Sequence, residues 1–174
     1  TNLPPTKTLD LGNNVNLELV LIPAGKFVMG TPEPVPVDDD GFRKKIVVGQ
    51  DGVITIPAVA CSKPTNSTGK IVFMKSYLGG MQLHYNRLGG AEEFEYTFEA
   101  PAAGKYALSA RVVTTSADQH LLVAANGAKE PIDITVPFTV GAWGTTQPVE
   151  VSLVKGRNVL RFSREHENLK GLTI

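Results

Sequence analysis

The chain has 174 residues, of which 42% are hydrophobic and 20% are charged, so it is long enough for one globular domain with a sizeable core. Its 17 basic and 17 acidic residues cancel, and we therefore expect neither nucleic acid nor an anionic membrane surface as a partner. No apolar run approaches the roughly 20 residues that a membrane-spanning helix needs. Cys61 is the only cysteine, which excludes an intrachain disulfide.

The front of the chain differs from the rest in pattern and composition. The stretch "NLELVLIPAGKFVMG" predicts a β-hairpin that turns at Pro23, Ala24 and Gly25. The next stretch, "TPEPVPVDDDG", is rich in proline and acidic residues and predicts an extended linker. We therefore assign residues 1–45 to an N-terminal hairpin and linker, and residues 46–174 to the main domain.

Alternation of apolar and polar side chains with a period of two dominates the main domain and predicts β-strands. In "EEFEYTFEAP", Phe94, Tyr96 and Phe98 alternate with polar residues, which gives this strand one buried face and one solvated face. Further strands are predicted in "KYALSARVV" and "PIDITVP". The stretch "VEVSLVKGRNVLRFS" predicts a hairpin that turns at "KGRN".

Glycine-rich turn signals separate these strands at short intervals, and no convincing amphipathic helix occurs between them. Many short strands with this spacing are typical of a β-sandwich or jelly roll. The sequence therefore predicts an all-β jelly-roll sandwich that follows the N-terminal hairpin and extended linker. The chain begins at Thr1 and ends in "KGLTI", which has the pattern of an incomplete strand, so we expect it to be part of a longer protein.

A series of motifs follows in the order "VITIPAVACS", "GGMQLHYNRLGG", "FEYTFEAPAAGKYALSARVV", "LLVAANG", "VPFTVGAW", "PVEVSLVKGRNVLRF" and "ENLKGLTI". In this order and spacing, residues from about 50 to 174 resemble the carbohydrate-binding modules of families 6 and 35. These modules are jelly rolls of the galactose-binding-like superfamily. The resemblance implies the same fold, and a glycan-binding site built from loops at one end of the sandwich.

Aromatic rings in such loops stack on sugar rings, and polar side chains bind the hydroxyl groups. The resemblance implies Trp143 as the aromatic platform, Asn168 as a ligand-binding residue and Tyr85 as a further contact. Arg164 and Glu167 belong to a polar loop beside Asn168 and complete the candidate site. The alternatives are a loop plug for Trp143, a core position for Tyr85, and a solvated turn for the polar loop.

The same families commonly hold a structural calcium through acidic residues in the first strand and an Asp near the last strand. Here Ala58 and Ala60 stand where a Glu is expected, and Gly171 stands near the position of the Asp. Calcium requires several oxygen ligands. We therefore predict no cofactor; a calcium site would have to be rebuilt from other residues.

A second resemblance is short. Residues 17–34, "LELVLIPAGKFVMGTPEP", resemble the start of formylglycine-generating (sulfatase-modifying factor) domains. Those enzymes need a much larger domain with reactive cysteines, whereas Cys61 stands alone in a strand-like context. The histidines also lack metal-ligand spacing, and no G-x-S-x-G nucleophile motif occurs. We predict that the chain is not an enzyme.

Two functions of different classes remain. The first is a non-catalytic carbohydrate-binding module that targets a larger extracytoplasmic bacterial protein, secreted or at the cell surface, to a polysaccharide. The second is a structural or assembly module, in which residues 1–45 mediate self-association or dock on a neighbouring subunit.

Overall fold

A computed structural model describes residues 6–20, 46–78, 80–87, 92–164 and 170–174. The chain divides into two compact units, Thr1–Pro32 and Glu33–Ile174. The strands in chain order are β1 Thr6–Asp10, β2 Asn16–Val20, β3 Val47–Val48, β4 Ile54–Thr55, β5 Ile71–Lys75, β6 Met81–Tyr85, β7 Phe94–Ala100, β8 Gly104–Leu108, β9 Arg111–Thr114, β10 Gln119–Ala125, β11 Ile132–Val136, β12 Gly144–Thr145, β13 Val149–Leu153, β14 Gly156–Ser163 and β15 Leu172–Thr173. The described ranges contain no helix that is long and apolar enough to cross a membrane.

In the first unit, β1 and β2 form an antiparallel hairpin. Its turn contains Gly12, Asn13 and Asn14, whose φ angles are 83°, 54° and 61°. Glycine and asparagine adopt this left-handed conformation more readily than other residues, so the local sequence suits the turn. The sequence did not predict β1. The turn that it did predict, at residues 23–25, lies outside the described residues, as does the predicted linker.

The second unit contains two layers of antiparallel strands. One layer is a four-stranded sheet in the order β11-β10-β14-β7, and the other is a five-stranded sheet in the order β12-β9-β15-β6-β5. Aromatic and aliphatic side chains on alternate positions of both layers form one buried core. Phe94, Tyr96 and Phe98 of β7 belong to this core, as their alternation predicts.

The second layer continues beyond its five strands through a bend. The backbone amide of Thr146 donates to the carbonyl of Ala110 at 2.9 Å, and the Thr146 hydroxyl accepts from the amide of Ala110 at 2.9 Å. These bonds connect the β9–β12 pair to the β8–β13 pair, so that β8 and β9 form one bent strand beside a second bent strand, β12 and β13. The fold class predicted from the sequence, an all-β jelly-roll sandwich, is confirmed.

The hairpin predicted for residues 149–163 is wrong. Strand β13 pairs with β8, whereas β14 pairs with β7 and β10, so the chain changes layer at the "KGRN" turn. Asn158 is fully buried at this crossing. Its side chain donates to the carbonyls of Val154 and Gly156 at 2.8 and 2.7 Å and accepts from the amide of Val154 at 2.9 Å. Hydrogen bonds from the Asn158 side chain therefore stabilise this turn, in place of the backbone hydrogen bonds between the two strands of a hairpin.

Candidate functional site

Trp143 lies on the outer face of the five-stranded sheet. The register of β12 on β9 places Gly144 opposite Val112 and Thr145 opposite Arg111. Val112 is fully buried and faces the core, so its neighbour Arg111 faces outward. The guanidinium carbon of Arg111 lies 5.1 Å from the centre of the Trp143 ring, which is within the range of a cation–π contact.

The loop before Trp143 is held firmly against β9. The amides of Thr139 and Gly141 donate to the carbonyl of Thr114 at 3.3 and 3.2 Å. The Thr139 hydroxyl donates to the same carbonyl at 3.0 Å and accepts from the amide of Thr114 at 2.9 Å. Val140 and Gly141 have φ angles of 54° and 84°, so the chain turns sharply at this point. These bonds fix the position from which the indole projects.

Trp143 is half-buried and borders a cavity. The ring nitrogen Nε1 is buried and, among the described residues, is the one buried side-chain polar atom without a hydrogen-bond partner. The residue also lines a cavity of about 290 Å³. A group in this cavity can therefore contact Trp143, but the buried ring N–H is out of its reach.

The cavity beside Trp143 has a polar rim and an apolar floor. Gln82, Ser109 and Arg111 contribute polar groups, while the floor consists of core residues of the opposite sheet: Phe94, Tyr96, Leu121 and Phe162. Gln82 lies on β6, two strands away from Arg111. No sequence pattern singles out Gln82 or Arg111. Alternation places Arg111 on the polar side of its strand, but only the sheet order brings Gln82 near it.

Tyr85 lies in the core, which was the alternative considered for it. Its side chain is fully buried, and its hydroxyl donates to the carbonyl of Glu92 at 3.1 Å and accepts from the amide of Glu92 at 2.9 Å. Lys70 Nζ lies 4.9 Å from the ring centre, and Arg164 Cζ lies 5.2 Å from it. Two cations and the core cover this ring, so Tyr85 is a core residue and not part of an open site.

Arg164 is also buried, at 5% exposure. Its guanidinium donates to the carbonyls of His120 and Lys170 and to the side-chain oxygen of Gln119. Burial lowers the pKa of Arg164 below its usual value. With these partners inside the protein, Arg164 supports the structure around Tyr85, and we leave it out of the proposed site. Asn168 and Glu167 lie outside the described residues, so their roles stay predictions.

Lys70 is a buried cation that no sequence pattern singles out. It is 4% exposed, and burial together with the charge of Arg164 lowers its pKa, while Glu92 acts in the opposite direction. Glu92 also accepts a hydrogen bond from the Thr68 hydroxyl at 2.6 Å. Lys70, Tyr85, Glu92 and Arg164 therefore form a compact polar cluster at the edge of the core.

The positions discussed for calcium have structural contacts. The carbonyl of Ala58 accepts hydrogen bonds from the hydroxyl of Tyr96 at 2.7 Å and from the thiol of Cys61 at 3.5 Å. In the part of the chain that the structure describes, no group of three or more His, Cys, Asp or Glu side chains is arranged to hold a metal ion. Burial raises the pKa of Cys61 to about 11, so the thiol stays protonated near neutral pH and is a poor nucleophile.

Comparison with known proteins gives matches only among solved structures. No protein-family model and no curated protein matches the chain. A family 35 carbohydrate-binding module from Clostridium thermocellum matches with 20% identity and a TM-score of 0.47, covering 60% of this chain and 86% of that one. The family 35 module of Cellvibrio japonicus Abf62 has 21% identity and a TM-score of 0.43 over 55% and 72% of the two chains.

A further match is the C-terminal family 6 module of LamC, a marine laminarinase from Zobellia galactanivorans. It has 19% identity and a TM-score of 0.44, and the match covers 60% of this chain and 87% of that one. Modules of the two families that the sequence resembles are thus among the matching structures.

Proposed function

We propose that this chain is a non-catalytic module that binds a glycan on the outer face of its five-stranded sheet. The observation that carries the proposal is the half-buried Trp143, with the guanidinium of Arg111 at 5.1 Å from its ring centre. An aromatic surface packs well on the apolar face of a sugar ring. The guanidinium and the amide of Gln82 are directed donors for sugar hydroxyl groups.

The rigidity of the Trp143 loop supports this proposal. A binding site loses less conformational entropy on association when its side chains are already fixed. The bonds between Thr139 and Thr114 hold the loop on β9, and the short strand β12 pairs immediately after Trp143. The aromatic side chain is therefore displayed from an ordered scaffold, which suits a module whose task is binding.

The biological setting that we propose is a larger extracytoplasmic bacterial protein, which the module would target to a polysaccharide. A non-catalytic role is supported by the chemistry of Cys61, because a buried thiol with a pKa of about 11 is not activated for attack.

A glycan array, read with calcium and with a chelator, tests the proposal. Trp143 is the only tryptophan, so its intrinsic fluorescence then reports binding of each retained glycan in solution. We expect Trp143→Ala to weaken retention up to about tenfold, because a stacked aromatic contact contributes up to about 1.5 kcal/mol. Phe138→Ala is the matched control, since Phe138 is an exposed aromatic residue of the same loop. The proposal fails if no glycan is retained in either condition, or if Phe138→Ala weakens retention as much.

A second candidate, an assembly module, is favoured by the surface of the N-terminal hairpin. Pairing of Leu9 with Leu17 and of Lys7 with Leu19 places three leucines on one face. Leu17 and Leu19 are 45% and 42% exposed. An isolated two-stranded hairpin is marginally stable in water, so an apolar partner surface would stabilise it.

The size of the protein in solution tests this candidate. A size that grows with concentration supports it, provided that deletion of residues 1–45 abolishes the concentration dependence. A strict monomer contradicts it.

A further inference from the structure

The dipeptide Asn126–Gly127 forms the turn that follows β10. The amide of Ala128 donates to the carbonyl of Ala125 at 3.0 Å, which closes a four-residue turn. The φ angles of Asn126 and Gly127 are 53° and 76°. Two consecutive positive φ angles are characteristic of a type I′ turn, for which Asn-Gly is a preferred sequence. Asn126 is also the only asparagine of the chain that precedes a glycine.

An asparagine that precedes a glycine can lose its side-chain amide in water. The backbone nitrogen of Gly127 attacks Cγ of Asn126 and forms a new C–N bond. The bond from Cγ to Nδ2 breaks, and Nδ2 leaves as ammonia with the proton of the attacking nitrogen. Water then opens the five-membered imide and gives aspartate or isoaspartate at this position. Glycine favours the attack, because it has no side chain that crowds its nitrogen.

The folded turn holds the two reacting groups apart. A type I′ turn gives its first central residue a ψ of about 30°, which places the following nitrogen almost opposite Cβ across the Cα–C bond. The imide ring requires the Gly127 nitrogen and Cβ of Asn126 on the same side of that bond. The backbone therefore has to rotate at Asn126 before the reaction, and this rotation breaks the hydrogen bond between Ala128 and Ala125.

The side chain of Asn126 is held at both of its polar atoms. Nδ2 donates to Oδ1 of Asn158 at 2.9 Å, and Oδ1 accepts from the amide of Val159 at 2.9 Å. The leaving group and the carbonyl under attack are thus both bound to β14. Asn158 is fully buried and is itself fixed by hydrogen bonds to Val154 and Gly156. It therefore holds the exposed turn from a rigid position in the fold.

We propose that Asn126 is a deamidation site that the folded chain keeps closed, with Asn158 as the residue that holds it closed. The reaction then proceeds only in chains whose β10 turn has opened, at a rate set by the population of that open form. Isoaspartate adds one carbon to the backbone of a tight turn. Both products also replace the Nδ2 donor by a carboxylate oxygen, which faces Oδ1 of Asn158 and cannot bond to it. The modified turn therefore does not close as before.

Peptide mapping by mass spectrometry tests the proposal, because deamidation changes the mass of the peptide that contains Asn126. The full chain and a synthetic peptide of residues 123–131 are incubated in the same mildly alkaline buffer. We expect the full chain to deamidate at least about tenfold more slowly, because its turn has to open first, whereas the short peptide holds no stable turn. Equal rates in the chain and the peptide would overturn the proposal.

Two variants separate the role of Asn158 from a general loss of stability. Asn158→Ala removes the acceptor for Nδ2, and Asn126 should then deamidate about fivefold faster than in the original chain. Arg164→Met is the matched control, because it removes buried hydrogen bonds beside Gln119 and His120, at the opposite end of β10. It should leave the rate within about twofold. Equal acceleration in both variants would show that global unfolding exposes Asn126, and would contradict the role of Asn158.

The deamidated fraction of the original chain gives a measurement that needs no variant. It carries one additional negative charge, so ion exchange separates it from unmodified chains. Its midpoint of urea unfolding should be lower by about 0.5 M, since the hydrogen bond to Asn158 is lost. An unchanged midpoint would show that the turn closes normally after modification, against the proposal. None of these measurements involves a glycan, so this proposal and the proposed function fail separately.

Discussion

The side-chain amide of Asn126 donates a hydrogen bond to the side-chain oxygen of Asn158, 2.9 Å away. Asn126 stands in the turn after β10, with a φ of 53°, and Asn158 lies at the start of β14. The side-chain oxygen of Asn126 also accepts a hydrogen bond from the backbone amide of Val159 at 2.9 Å. The backbone amide of Asn126 donates to the Val159 carbonyl at 2.8 Å. The two asparagines therefore join one turn of the four-stranded sheet to the point where the chain crosses between layers.

Replacement of Asn158 should destabilise the fold more than any other single asparagine change at these turns. Asn158→Ala leaves the amide of Val154 and the carbonyls of Val154 and Gly156 without their side-chain partner at a partly buried turn. Each such loss costs about 1 kcal/mol or more, and we expect a decrease of about 3 kcal/mol in the free energy of unfolding. Urea denaturation measures it. Asn126→Asp, which keeps the acceptor for Val159, is the control and should cost less than half as much; equal losses would contradict this account.

The cluster around Tyr85 gives a second prediction, which separates structure from binding. Arg164→Met removes the donor to the carbonyl of His120 and to the side chain of Gln119, which is 2% exposed. Buried acceptors without a donor cost about 1–3 kcal/mol each, so we expect a loss of about 3 kcal/mol in unfolding free energy. Arg164→Lys should recover little, because an ammonium group cannot reproduce the planar fork of donors.

Chemical denaturation measures the stability of both Arg164 variants, and glycan retention under conditions where they remain folded measures binding. Retention should be unchanged, because the guanidinium lies over Tyr85 in the core. A variant that folds normally but no longer retains glycan would return Arg164 to the binding site and contradict its structural role.

Alternation of apolar and polar residues predicted correctly which face of a strand is buried, but it did not predict which strands pair with each other. It placed Phe94, Tyr96 and Phe98 in the core, because a period of two specifies which side of a strand is buried. It failed for β13 and β14, because adjacent apolar-polar strands look the same whether they pair with each other or cross between layers. The crossing depends on the buried amide of Asn158, and its partners are known only once the fold is present.

The candidate site depends in the same way on strand pairing, which the sequence pattern does not predict. Trp143 is implied by the resemblance to the carbohydrate-binding modules, but Arg111 and Gln82 come near it only through the order of the strands in the sheet. For His84 and Tyr85, alternation requires one residue to face inward, but not which one. The hydrogen bond between His84 and Thr173 on the outer face, and the burial of Tyr85, decide that question.

The contact between Arg111 and Trp143 gives a prediction about affinity. Arg111→Met keeps an unbranched side chain over the indole but removes the charge and the donors. We expect glycan affinity to fall at least about tenfold, since a hydrogen bond from a charged group contributes about 1.5–3 kcal/mol. The unfolding free energy should change by less than about 1 kcal/mol, because an exposed cation–π contact contributes only that much.

Fluorescence titration of Trp143 measures the affinity of the Arg111 variant, and thermal melting measures its stability. Arg161→Met is the matched control, because Arg161 is an exposed arginine of β14, on the four-stranded sheet. An affinity loss of the same size in both variants would indicate general electrostatic attraction and would contradict a specific role for Arg111.

The thiol of Cys61 predicts how stability changes at alkaline pH. Burial raises its pKa from 9.0 to about 11, so the folded chain keeps a proton that the unfolded chain releases between those values. Folding stability therefore falls as the pH rises from about 9 to about 11, and the contribution of this group is fully present below pH 9. The full loss is about 2–3 kcal/mol. Cys61→Ala should reduce the slope of unfolding free energy against pH over this interval, although tyrosine ionisation leaves a residual decrease. Urea denaturation of both chains from pH 7 to 11 provides the comparison, and identical slopes would show that the thiol is not buried as described.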